Sequence, residues 1–385
     1  MKKTIYIIAA LLTAACTKPA EVLIPEADFA SVKLSSLSAV VSEEGGDKTI
    51  FVATNREDWE VFCQEDWVDV SVDGNAVTFY VDENIYEESR LAVVEVLAGT
   101  KPDVAKARFK LLQSGASTED LSVHGTANCY IATTCGSYKF DASVKGNGAD
   151  DGNTFYSGYH GLEITDAAYA DLAWESTFDA DKTRSTKIIS GAPVYSPEEK
   201  AVYFSTGEIQ GNALITVHNA EGDILWSWHI WVSDEIVKTS KGNGLTWMDR
   251  NLGALNNDPG DISNRGMLYQ WGRKDPFTIP GRGVTAPADA ITAVSQNLSS
   301  IEETIASPTV VYDNSYWGDA QTLWDSFKTK YDPCPVGWRV PDRNVWEGIS
   351  NENLQNTNTH RSIYFVSRKT IKIAIQILNI DFNMR

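Results

Sequence analysis

The chain of 385 residues carries 33 Lys and Arg against 52 Asp and Glu, giving a net charge of −19 and a pI near 4.7. Such a surface repels phosphate and argues against a nucleic-acid partner, while 43% hydrophobic and 22% charged residues exclude wholesale disorder. Twelve Trp and 15 Tyr against four Met favour strand-rich modules built on large rigid rings, and five Cys leave at least one outside any intrachain bridge.

Lys2 and Lys3, the apolar run Ile5 to Leu12 and the small residues Thr13-Ala14-Ala15 form an export signal over residues 1–15, too short to span a membrane. The Cys16 that follows resembles the lipobox of bacterial lipoproteins, although Thr13 stands where Leu is usual. The resemblance implies cleavage before Cys16, lipid on its thiol and attachment to the outer membrane, with the surface or periplasmic face left open. Residues 16–31, with Pro19 and Pro25, read as a tether.

Residues 32–116 alternate apolar and polar positions in short runs, such as Thr49 to Ala53, Val77 to Val81, Leu91 to Val96 and Ala107 to Leu112. Gly45-Gly46, Asp73-Gly74-Asn75 and Gly99 punctuate them. This spacing predicts a β-sandwich of immunoglobulin size, with Trp59 and Trp67 in its core. The order of Trp59-Glu60-Val61, Trp67-Val68-Asp69-Val70, Asn84 with Arg90, and Leu112-Gln113-Ser114-Gly115 resembles the BACON domain of Bacteroidetes envelope proteins. That family is named for a proposed carbohydrate-binding role.

A second β-sandwich-like domain is expected over 121–235. Asn128 to Ala132 and Ser137 to Phe140 flank Cys135-Gly136 and read as a hairpin. In Ile224 to Val232, Trp226, Trp228 and Ile230 share one face and Ser227, His229 and Trp231 the other, the pattern of a central strand whose Trp226 and Trp228 are core.

Residues 244–350 carry Trp247-Met248-Asp249-Arg250-Asn251-Leu252-Gly253, then Gly266 to Phe277, then Asp332-Pro333-Cys334-Pro335-Val336-Gly337-Trp338-Arg339-Val340-Pro341 and Trp346. In this order they resemble the Fibrobacter succinogenes major paralogous domain, found in surface and fimbria-related lipoproteins. The Gly-Trp-Arg-Val-Pro segment is also similar to C-type-lectin-like folds, implying an α+β third domain. Residues 351–385 break that pattern: glycine disappears, and five basic residues face two acidic ones. The tail reads as a truncated or frame-shifted end that leaves the third domain incomplete, with a divergent native C-terminus as the alternative; Ile371 to Ile377 alternates like a strand in either case.

Catalytic and metal-binding patterns are not recognisable. The five His show no paired ligand spacing, His124, Cys129 and Cys135 fit no zinc template, and no nucleophile elbow or P-loop occurs. Asn147, Asp150, Asp151 and Asn153 lack EF-hand spacing and suit a solvated turn. No enzyme activity, metal or cofactor is therefore expected. With Cys16 acylated, four Cys remain and permit two bridges or none; because both lie in the motifs of the resemblances, Cys129 and Cys334 are the candidate disulfide.

The expected role is non-catalytic. Carbohydrate binding would use Trp271, Arg273 and Asp275 as stacking ring, donor and acceptor, unless Trp271 is core and Arg273 pairs with Asp275 or Asp249. The alternative is a structural or fimbria-associated subunit whose partners are envelope proteins.

Overall fold

The computed structural model describes residues 29–146, 162–177, 187–236, 238–240, 246–258, 261–270, 272–277, 292–297, 300–313, 324, 328–341 and 378–379. The signal, Cys16, most of the tether, the Asn147 to Asn153 loop and the tail apart from Leu378 and Asn379 lie outside them.

Eight strands form the first sandwich: β1 (Val32–Leu34), β2 (Ser38–Val41), β3 (Gly46–Thr54), β4 (Trp59–Phe62), β5 (Val68–Asp73), β6 (Ala76–Val81), β7 (Arg90–Ala98) and β8 (Ala105–Gln113). One sheet has the order β1-β3-β6-β5 and the other β2-β8-β7-β4, with β2 and β8 parallel and the remaining pairs antiparallel. Strict alternation puts Ile50, Val52, Val77 and Phe79 of one sheet against Val94, Val96, Phe109 and Leu111 of the other. Phe79 and Phe109 stack across the gap with centroids 5.1 Å apart; burying a ring of this size contributes about 2–3 kcal/mol. Trp67 is buried in this core, as its spacing predicts, and Trp59 packs half-buried against it.

The second sandwich comprises β9 (Glu119–Asp120), β10 (Cys129–Ala132), β11 (Ser137–Asp141), β12 (Tyr169–Ser176), β13 (Ile189–Ser196), β14 (Ala201–Thr206), β15 (Gly211–His218) and β16 (Ile224–Val232). Its sheets run β10-β16-β15-β12 and β13-β14-β11-β9. β10 and β11 therefore do not make the expected hairpin. β10 joins β16 in parallel, and the chain crosses at Thr133–Gly136 to the facing sheet. β10 is paired with β16 and β11 with β14, and from these opposite sheets Tyr130, Ala132, Tyr138 and Phe140 all enter one core. Tyr130 and Phe140 stack at 4.9 Å, and the Tyr138 hydroxyl accepts from Thr133 N–H, closing the corner.

β16 is central, and both of its faces are buried. Trp226, Trp228 and Ile230 enter the sandwich core, whereas Trp231 joins a second cluster with Cys129, Trp174, Leu214, Met248, Leu252, Met267, Tyr269 and Trp338. Segments of the third block thus cover the outer face of β15 and β16. That block's described elements are short: β17 (Lys238–Ser240), β18 (Thr246–Met248), β19 (Thr292–Asn297), the helix α1 (Ile301–Ala306), β20 (Val310–Asp313), β21 (Trp338–Arg339) and β22 (Leu378–Asn379), with one 3-10 turn at Ile262–Arg265. Leu378 pairs with Trp247 and Arg339, so Leu378–Asn379 of the tail joins β18 to β21 in the sheet β17-β18-β22-β21.

The two sandwiches meet along β2 and β13. Val40 and Leu112 pack on Val194, Ala201 and Tyr203, Ser38 Oγ donates to the Tyr195 carbonyl at 2.6 Å, and Lys48 pairs with Glu198 at 2.6 Å.

Candidate functional site

The residues of the BACON resemblance build a polar hub at one end of the first sandwich. The Arg90 guanidinium lies 4.4 Å from the centroid of the Trp67 ring, its Nε donates to Gln113 Oε1 at 2.8 Å, and one terminal nitrogen donates to the Asp82 and Glu83 carbonyls. Gln113 Nε2 donates to the carbonyls of Ser42, Glu43 and Asp82. Buried Asn84 donates to the carbonyls of Glu88 and Ser114 and accepts from Tyr86 N–H. Apart from the Arg90–Gln113 link, each of these hydrogen bonds holds backbone, and together they fix the loop 82–90 at its base.

Gly115 completes the arrangement by close approach. A Cβ there would stand 1.8 Å from the Glu87 carbonyl oxygen, so only glycine lets the end of β8 run against the loop.

The loop forms one wall of a cleft of about 350 Å³ at the junction of the two sandwiches. Tyr86, Glu87 and Glu88 line that wall, Ser117 and Glu119 follow from the connecting segment, and Cys135, Gly136, Ser137 and Tyr138 face them. Ser89 ties the walls together: its N–H donates to Ser137 Oγ, and the two hydroxyls lie 3.2 Å apart. Tyr86 is 65% exposed and its neighbour Ile85 75%, a large apolar surface on a loop with little freedom. Glu87, Glu88 and Glu119 are exposed and have no ion-pair partner among the described residues. An aromatic ring beside carboxylates and serine hydroxyls suits a polyhydroxylated ligand, whose C–H face stacks while its hydroxyls donate to carboxylate oxygens. The same carboxylates repel phosphate and sulfate.

Of the three residues expected at a ligand site, the structure describes Arg273 and Asp275. Trp271 lies outside the described residues. Arg273 is completely buried and donates to Gln270 Oε1 and to the carbonyls of Thr304, Ser307, Pro308 and Val310, clamping the segment around α1. Asp275 is buried as well and accepts from Ser227 Oγ and Lys274 Nζ, both at 2.7 Å. Arg273 and Asp275 are thus corrected from ligand contacts to internal cross-links. The alternative pairing of Arg273 with Asp275 or Asp249 does not form either, since Asp249 pairs with Arg250. Buried charges need fixed partners, and here carbonyls from distant segments supply them.

The expected Cys129–Cys334 bridge is absent. Both residues are free thiols, buried in the same cluster on β10 and in the segment before β21. Burial pushes both thiols far above their ordinary pKa, so each behaves as a small apolar filler. Cys334 is held by its backbone: its N–H donates to Asp332 Oδ1, and its carbonyl, with that of Trp338, accepts from buried Lys328 Nζ. Asp332 Oδ2 accepts from Val340 N–H, so the Cys-Pro-Val-Gly-Trp-Arg-Val segment wraps around the Lys328–Asp332 pair. Cys135, by contrast, is exposed in the junction cleft.

Sequence reasoning missed Tyr86, Glu87, Glu88, Ser117 and Glu119. The available signal was their position inside the Asn84 and Arg90 pair and beside the closing Ser114-Gly115.

No protein-family model matches the sequence, and no curated protein matches it. Among solved structures, the chain is similar to a protein from Bacteroides thetaiotaomicron, at 21% identity over 24% of this chain and 93% of that one, with a TM-score of 0.20. It is also similar to the E. coli chaperone DraB, at 9% identity over 52% of this chain and 97% of that one, with a TM-score of 0.23. A third likeness is to the Pseudomonas aeruginosa CupB2 chaperone, at 12% identity over 52% and 100%, with a TM-score of 0.24.

Proposed function

We propose that the protein is a lipid-anchored, non-catalytic carbohydrate-binding component of the bacterial outer membrane, with its glycan contact in the junction cleft. The carrying observation is Tyr86, an exposed ring held on a braced loop at the rim of a cleft that also bears Glu87, Glu88 and Glu119. The lipobox-like Cys16 supports the anchor, and the resemblances of residues 32–116 and 244–350 to envelope-protein modules support the compartment.

The test is a glycan array probed with the full-length chain in detergent, followed by calorimetry on any neutral oligosaccharide that binds. Tyr86→Ala should weaken binding by roughly tenfold, the loss of one stacking contact, while leaving the circular dichroism spectrum unchanged. Silence across host mucin and plant polysaccharide arrays, or binding indifferent to Tyr86→Ala, refutes the cleft as a glycan site and favours a purely protein-binding envelope subunit.

A further inference from the structure

The charge of this protein is concentrated. Between Glu57 and Ser89 there are eleven Asp or Glu and no Lys, Arg or His. β5 lies inside this run and is the last strand of its sheet, with β6 on one side and, among the described residues, no strand on the other.

Such edges are normally protected, because unmatched backbone N–H and C=O groups invite another strand. The other outer strands of the first sandwich are only three or four residues long. In the second sandwich, β12 and β13 have irregular registers, at Leu172/Trp174 and Ser190/Val194. β5 has neither protection, since its register with β6 is regular from Val68 opposite Val81 to Asp73 opposite Ala76. Alternation turns Val70 and Val72 toward the core side, where their partners Phe79 and Val77 are completely buried, yet Val70 is 37% and Val72 50% exposed. Asp69, Ser71 and Asp73 occupy the opposite face and are exposed. Glu65, Asp66, Asp69 and Asp73 have no ion-pair partner among the described residues.

We propose that the free edge of β5 docks an extended, basic segment of a partner protein, which adds to the sheet as a fifth strand. Backbone hydrogen bonds along 68–73 supply the affinity, alternate apolar side chains of the partner cover Val70 and Val72, and intervening Lys or Arg side chains meet Asp69 and Asp73. The same carboxylates disfavour a second copy of β5 in the same place, because like charges would face each other across the new pair. The edge is therefore open to a basic strand and closed to itself. This surface is separate from the junction cleft, so it stands or falls independently of the glycan reading.

The probe is an end-capped heptapeptide of alternating lysine and valine, titrated into the full-length chain in detergent with hydrogen–deuterium exchange as the structural readout. Saturable binding with new protection at residues 68–73 is expected. Val70→Lys with Val72→Lys should weaken it at least tenfold, and Asp69→Asn with Asp73→Asn several-fold with a shallower salt dependence. The asparagine pair keeps the side-chain shape, so it decides the matter if the lysine pair does not fold. Equal binding of a peptide with proline in place of its central valines would reveal general electrostatic adhesion and overturn strand addition. Protection appearing only elsewhere, or affinity unchanged in both double variants, would overturn it too.

Discussion

His229 Nε2 lies 2.9 Å from Asn212 Oδ1, and this contact fixes the protonation of the imidazole. Asn212 Nδ2 donates to the Gly253 carbonyl, so Oδ1 is the acceptor and His229 Nε2 must carry the proton. Nδ1 is then free to accept from the Tyr269 hydroxyl at 3.2 Å. The chain from Gly253 through Asn212 and His229 to Tyr269 joins the second sandwich to the third block with a neutral histidine at its centre.

Burial lowers the His229 pKa to about 3. The unfolded chain takes up this proton near pH 6.5 and the folded chain does not until about 3, so stability falls as pH drops through that window. His229→Gln keeps a donor and an acceptor but cannot titrate. Between pH 6.5 and 5 the wild type should lose about 1.6 kcal/mol more than this variant, measured by urea unfolding at both pH values. Equal losses would show that His229 is not responsible.

Lys274 presents the opposite economy, a buried cation held by a buried anion. Its Nζ donates to Asp275 Oδ1 at 2.7 Å and to the Ser227 carbonyl at 2.9 Å, and it lies 4.5 Å from the centroid of Trp226. Burial brings its pKa down to about 8. Because the unfolded chain keeps this proton up to about 10.5, the lysine's contribution to stability rises between pH 8 and 10.5. Lys274→Met leaves Asp275 buried without its cation and should destabilise by roughly 3–5 kcal/mol, while Lys274→Met with Asp275→Leu recovers most of the loss. A double-mutant cycle by thermal unfolding checks this; a double variant no better than the single one contradicts it.

Gly115 and Gly74 distinguish close approach from backbone conformation. Gly115→Ala would set a methyl 1.8 Å from the Glu87 carbonyl oxygen, whereas Gly74→Ala meets no atom within 4 Å but must adopt φ +59°. The first should cost about 2–3 kcal/mol and loosen the loop that carries Tyr86; the second should cost only about 1 kcal/mol. Denaturation midpoints rank them, and exchange at residues 82–90 should rise in Gly115→Ala alone.

Much of the fold was legible because alternation is a local property. The two faces of Ile224–Val232 could be assigned residue by residue, and Trp226 and Trp228 are core. Residues 128–140 show where local reading fails. Two apolar runs around Cys135-Gly136 carry the signature of a hairpin, but whether they pair with each other or enter opposite sheets depends on which strands flank them, and β14 and β16 lie over 60 residues away. The cleft was illegible for the same reason: its walls come from 86–88, 117–119 and 135–138, and no spacing rule joins them.

The sequence by itself determined the acidic surface, the strand-rich architecture and which side chains of each strand face inward, because charge count and two-residue periodicity need no knowledge of neighbours. Tertiary structure decided the roles of polar residues. Arg273 and Asp275 have the chemistry of a ligand site, yet carbonyls around α1 and the Lys274 amine enclose them. Val70 and Val72 have the chemistry of a core, yet they lie at a sheet edge with half of Val72 in water. A side chain's polarity states what it can bind, and only packing states whether the partner is the protein itself.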